Sequence, residues 1–106
     1  MTPNEIIEAV GREYHITPDQ LKSKKRTRPL PQIRHVLFAV IRERHPEMTI
    51  TQIGQLLNCH HAMVIYGRRV ASNTRDILIA SIRERIASVI EPPVRMRFND
   101  QNIVQP

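Results

Sequence analysis

The sequence predicts an all-α domain of five or six helices, with a helix-turn-helix in its second half and an irregular C-terminal tail. Three observations carry this expectation. Threonines followed three residues later by Glu or Gln open apolar runs at Thr2, Thr17 and Thr49, the signature of a capping box. The apolar residues then recur at helical spacing rather than alternating. Prolines and short polar turns divide the runs into helix-sized pieces, and only a weak alternation over 94–98 hints at a strand.

Each element follows from these signals. Thr2-Pro3-Asn4-Glu5 places a cap and an N1 proline before a stripe of Ile6, Ile7, Val10 and Tyr14. Thr17-Pro18-Asp19-Gln20 starts a short helix through Leu21. Pro29 and Pro31 then forbid a regular helix, so the stretch from Lys22 to Pro31 reads as a basic loop. A long helix is expected over about 32–44, with Ile33, Val36, Leu37, Val40 and Ile41 as its apolar face and Pro46 beyond its end. Thr49 opens a short helix carrying Ile53, Leu56 and Leu57. Asn58-Cys59-His60 turns the chain into a further helix over about 61–71. Ile53, Leu57, Val64 and Ile65 are expected to pack these two helices together as a helix-turn-helix. Asn73 or Thr74 is expected to cap a last helix to about Ile90, with Ile77, Ile79, Ile82, Ile86 and Val89 as apolar positions. Residues 1–91 thus form the helical domain, and 92–106, after Pro92-Pro93, read as a tail without a clear period.

Composition narrows the function. The chain has 106 residues, enough for one domain. A hydrophobic content of 41% excludes a disordered composition. There is no phosphate-cradling GxxxxGK[ST] loop and no GxGxxG. The single cysteine, Cys59, forms neither an internal disulfide nor a CxxC motif, which fits a reducing cytoplasm. The acidic N-terminal turns are not a signal peptide, and no stretch approaches the apolar length of a membrane helix.

Charge is the stronger clue. The formal net charge is +6, carried by 16 Lys+Arg against 10 Asp+Glu. The positive field lies on the middle of the chain, since the first 19 residues are net acidic and the last third is nearly balanced. Such a field attracts polyanions, nucleic acid first and anionic membrane second. The segment Lys22-Ser23-Lys24-Lys25-Arg26-Thr27-Arg28 is its centre, with the chemistry to neutralise phosphates or enter a narrow minor groove. The start of the second helix of the helix-turn-helix is expected to face outward with His60, His61, Ala62 and Met63. There a histidine donates to a guanine or a phosphate, and Ala and Met contact a thymine methyl. Arg34, His35 and Arg42 on the long helix read as backbone clamps. Each feature also has a plainer explanation: a solvated loop, an αα corner, or the polar face of an amphipathic helix.

Enzymatic and metal readings fare poorly. His60 and His61 are adjacent, and no second ligand pair sits at helical spacing for a metal. A Cys59–His61 nucleophile is disfavoured because a lone cysteine in a helical turn is commonly a small packing residue. The carboxylates are scattered. No catalytic residue, cofactor or metal is expected.

The residues from Tyr14 to Arg69 resemble the C-terminal DNA-binding domain of the bacterial replication initiator family DnaA. Tyr14-His15-Ile16 and Leu21-Lys22-Ser23-Lys24-Lys25-Arg26-Thr27-Arg28 look like the family's helix and basic loop, L-L-S-K-R-R-S-R. The likeness runs through Pro31 and Gln32 to Arg42-Glu43. It resumes with Ile53-Gly54 and with His61, Val64 and Ile65, where the family has I-G and D-H-T-T-V-L.

The resemblance implies a Trp-repressor-like helical fold. Arg26 would be the minor-groove arginine, with Lys24, Lys25 and Arg28 beside it. Arg34, His35 and Arg42 would clamp phosphates or reach bases. His60 takes the place of the family's aspartate and His61 that of its histidine, while Ala62 and Met63 replace its two threonines. Those are base-reading positions, so the resemblance leaves open which DNA sequence this chain would recognise. No ATPase domain accompanies the module, so a stand-alone, cytoplasmic, sequence-specific double-stranded DNA-binding protein is expected, regulating replication or transcription. The alternatives are a protein-interaction or oligomerisation module, with a protein partner or a homodimer, and a low-specificity nucleic-acid binder.

Overall fold

A computed structural model describes residues 1–73 and 75–90, and the 92–106 tail lies outside them. The described residues form six helices and no strand: α1 (Pro3–Tyr14), α2 (Pro18–Lys22), α3 (Leu30–Arg44), α4 (Ile50–Leu56), α5 (His61–Ala71) and α6 (Ile77–Ile90).

The three predicted capping boxes form. Thr2, Thr17 and Thr49 each accept from a backbone N–H three residues on at 3.1 Å, and the side chains of Glu5, Gln20 and Gln52 bond back to the threonine N–H. Each box satisfies two of the donors that a helix start leaves without intrahelical partners.

The long helix α3 is the spine. Ile33, Val36, Leu37, Phe38 and Ile41 are fully buried, and α1, α4, α5 and α6 all pack on α3. It begins at Leu30, two residues before the expected start, because Pro31 sits in the first turn, where no N–H is required.

One turn occurs twice. After α1, His15 adopts φ 56° and the Ile16 N–H reaches the Gly11 carbonyl at 2.8 Å. After α4, Asn58 adopts φ 57° and the Cys59 N–H reaches the Gly54 carbonyl at 2.8 Å. A Cβ on either glycine would lie 2.5 Å from the carbonyl oxygen of Ile16 or Cys59, which the turn holds in place. Both turns deliver the chain directly to the cap of the next helix, Thr17 or His60.

The helix-turn-helix pairs α4 with α5 through Ile53, Leu57 and Val64, as expected. Ile65 departs from the expectation: it is 47% exposed, because Val64, Gly67 and Ala71 form the inner face of α5. The last helix also departs. It starts at Ile77, where the Asp76 carboxylate accepts the Ile79 N–H at 3.1 Å. Asn73 instead accepts the Arg75 N–H in a separate turn at 3.0 Å. Ile77 consequently lies outside the core at 85% exposure, and Ile79, Ile82, Ile86 and Ile90 make the buried stripe. Arg85 fastens α6 to α1, bonding Glu13 at 2.7 Å with its guanidinium 4.6 Å from the Tyr14 ring centre.

Candidate nucleic-acid interface

Lys24, Lys25, Arg26 and Arg28 are exposed in the loop between α2 and α3. A loop with four free cations has no core of its own to hold it, and Arg34 performs that task. Its Nε donates to the Leu21 carbonyl at 2.8 Å and its Nη1 to the Lys25 carbonyl at 2.7 Å. Its Nη2 donates to the Gln20 carbonyl at 3.2 Å and lies 3.5 Å from the Ser23 hydroxyl. The residue is only 8% exposed, and burial lowers its pKa from the ordinary arginine value. Arg34 therefore anchors the loop from the long helix. Three of the five guanidinium N–H donors go to the protein's own carbonyls.

Arg42 also makes contacts within the fold. Its Nη1 donates to the carbonyls of Pro46 and Met48, which tie down the segment leading to the Thr49 cap. His35 is half-buried, with its ring edge-on to Tyr66 at 5.5 Å. Burial, reinforced by the nearby Arg34 charge, lowers its pKa, so the ring is neutral at pH 7. The three side chains expected to act together on the long helix thus serve three different contacts.

The outward start of α5 matches its expectation in exposure: His60, His61, Ala62 and Met63 all face solvent. His60 is the N-cap, with Nδ1 accepting the Ala62 N–H at 3.3 Å. An accepting Nδ1 carries no proton, which leaves the N–H of a neutral ring at Nε2. The His61 ring lies 4.3 Å from that of His60.

The loop and α5 border one cleft of about 390 Å³. Ser23, Lys24 and Arg26 line it from the loop, Arg34 and His35 from α3, and Asn58, Cys59, His60, Met63 and Tyr66 from the turn and α5. Tyr66 escaped the sequence reading because nothing in the spacing distinguishes a cleft tyrosine from a surface one. Cys59 is half-buried, and burial raises its thiol pKa, so it is a poor nucleophile.

Gly67 sets how closely α5 approaches α3. A Cβ there would lie 2.8 Å from the Phe38 ring and 2.9 Å from the His35 ring. Among the described residues, no three His, Cys, Asp or Glu side chains gather as a metal site, and no helix is long and apolar enough to cross a membrane.

The sequence that builds this site has a counterpart among known families. Residues 3–70 match the family described as the bacterial dnaA protein helix-turn-helix. The chain belongs to that family. The match takes in α1, ahead of the Tyr14 start of the resemblance read from the sequence, and stops before α6. Chromosomal replication initiator proteins DnaA from two strains of Porphyromonas gingivalis, ATCC 33277 and W83, are each 30% identical over 82 residues. Those alignments cover 76% of this chain and 17% of each DnaA. No solved structure matches the chain. Within the DnaA helix-turn-helix, α4 and α5 are the paired helices and the 22–28 loop is the basic segment beside them.

Proposed function

We propose that this DnaA-type domain is a non-catalytic module that binds double-stranded DNA with sequence preference in the control of replication or transcription. The reading rests on one observation above all: buried Arg34 holds the basic loop against the same cleft that the start of α5 borders. Adjacent grooves of a duplex are separated by one phosphodiester strand. A loop and a helix on opposite sides of one cleft suit a minor groove and the neighbouring major groove, with that strand crossing between them.

In this reading Arg26 enters the minor groove, and Lys24, Lys25 and Arg28 neutralise phosphates. His60, His61, Ala62 and Met63 meet base edges in the major groove. The apolar pair Ala62 and Met63 favours thymine methyls over the hydrogen-bonding edges that two threonines would seek. A free Cys59 thiol fits a protein acting in a reducing cytoplasm.

The test is selection of the purified protein against randomised double-stranded DNA near physiological salt. The expected result is an enriched motif with a thymine-containing segment. Retained DNA without enrichment would reduce the reading to charge-driven binding. No retained DNA would overturn it and turn attention to a protein partner.

A further inference from the structure

The second half of α5 carries charge that the proposed loop and helix-start contacts do not use. Its inner line is Val64, Gly67 and Ala71, all buried. On one flank, Met63 and Tyr66 face the cleft shared with the basic loop. On the other flank, Ile65, Arg68, Arg69 and Ser72 line a second groove of about 390 Å³ against α3 and α6. That groove also contains Glu43, whose carboxylate lies 3.6 Å from Arg83. Arg83 in turn donates to the Ala71 carbonyl at 3.1 Å, so this acid–base pair is committed to the fold. Arg68 and Arg69 are exposed and, among the described residues, neither forms an ion pair. The Ser72 hydroxyl donates to the Arg69 carbonyl at 2.7 Å, closing the end of the helix beneath them.

A helix lying in a major groove has one phosphodiester strand on each side. The first cleft, with Lys24 and Arg26, supplies cations on only one flank of α5. We propose that Arg68 and Arg69 form a second phosphate site, which holds the DNA strand on the far wall of the major groove. This rests on the double-stranded DNA reading above. Arg68 and Arg69 clamp backbone and read no base, so they set affinity and the seating of α5 rather than the motif.

The experiment is a salt titration of binding to a selected duplex and to one mixed-sequence duplex by the full chain, by R68Q/R69Q and by R68K/R69K. Each phosphate contact contributes about 0.9 to the log–log salt slope. The glutamine pair is expected to lower the slope by about 1.8, and to weaken preferred and mixed duplexes by the same factor. The lysine pair, which keeps the charge, retains the slope. Ethylation interference with the unaltered chain gives an independent measure and is expected to mark phosphates on both strands facing α5. An unchanged slope in the folded glutamine pair, or interference confined to one strand, overturns the second site and leaves the DNA reading standing. Loss of all DNA binding by the unaltered chain overturns both. R26A separates the two flanks: its slope falls while ethylation marks on the far strand persist.

Discussion

At the scale of single residues, exposure separates solvent-facing cations from cations the fold engages. Arg26 and Arg34 lie eight positions apart and carry the same group, yet only Arg26 is free. Arg26→Ala is expected to lower the salt slope of DNA binding by about 0.9, read by titration at several salt concentrations. His61→Ala is expected to reduce preference for the selected site by about 1–3 kcal/mol, with less effect on mixed-sequence DNA. An equal loss on both would argue that His61 touches backbone.

His35 gives a pH dependence of stability with a definite sign. Its folded pKa lies below the unfolded value because burial and the Arg34 charge oppose protonation. The unfolded chain therefore binds the proton more readily, and the His35 contribution is intact above about pH 6.5 and declines as pH falls below it. Urea unfolding at pH 7.5 and at pH 5.5 should show a larger loss for the unaltered chain than for H35Q. Equal losses would mean that His35 is protonated as easily in the fold as in the open chain.

Among the elements, the contact between α3 and α5 decides where the candidate reading surface points. Alanine is the better helix former, by about 1 kcal/mol over glycine. At position 67 that gain meets a Cβ less than 3 Å from two packed rings, one of them the fully buried Phe38. Overpacking of this kind costs about 1–3 kcal/mol, so Gly67→Ala is expected to be net destabilising and to tilt α5 away from the basic loop. Thermal unfolding together with DNA affinity checks both parts. A more stable variant with unchanged affinity would show that α3 has room to give.

Most of this element-level architecture was legible beforehand. Capping boxes, N1 prolines and helical stripes act over three or four residues, so Thr2, Thr17 and Thr49 announced their helices correctly. The misreadings came where two local signals competed. Asn73 or Thr74 reads as the cap of the last helix; Thr74 lies outside the described residues, and the Asp76 carboxylate takes the place by accepting the N–H of buried Ile79. Pro31 resembled a helix breaker, but its place in the first turn makes it a starter. Ile65 has the chemistry of a core residue and the wrong angular position for one.

For the molecule as a whole, Arg34 couples core to surface. Its guanidinium joins α3 to α2 and to the basic loop, across separations of 9 to 14 residues. Arg34→Met is expected to leave the carbonyls of Leu21 and Lys25 without their donor, while the Gln20 carbonyl keeps the Ser23 N–H and hydroxyl, costing about 1–3 kcal/mol for each group that water cannot reach. The loop should then lose its place beside α5, and DNA affinity should fall with it. Arg34→Lys should recover little, since one ammonium cannot span three carbonyls in the planar fork geometry of a guanidinium. Amide exchange across residues 22–28 would reveal the released loop directly. Protection equal to that of the unaltered chain would show that the prolines alone hold it.

The helices, their caps, the basic segment and the outward start of α5 follow from local sequence, because each depends on neighbours a few residues away or on charge content. The sequence also carried the likeness to the DnaA helix-turn-helix. Tertiary structure alone decided which cations remain free, how close α5 lies to α3, and that loop and helix border a common cleft. These depend on contacts between distant parts of the chain. Burial lets Arg34 anchor the basic loop, and a missing Cβ at Gly67 admits one helix against another.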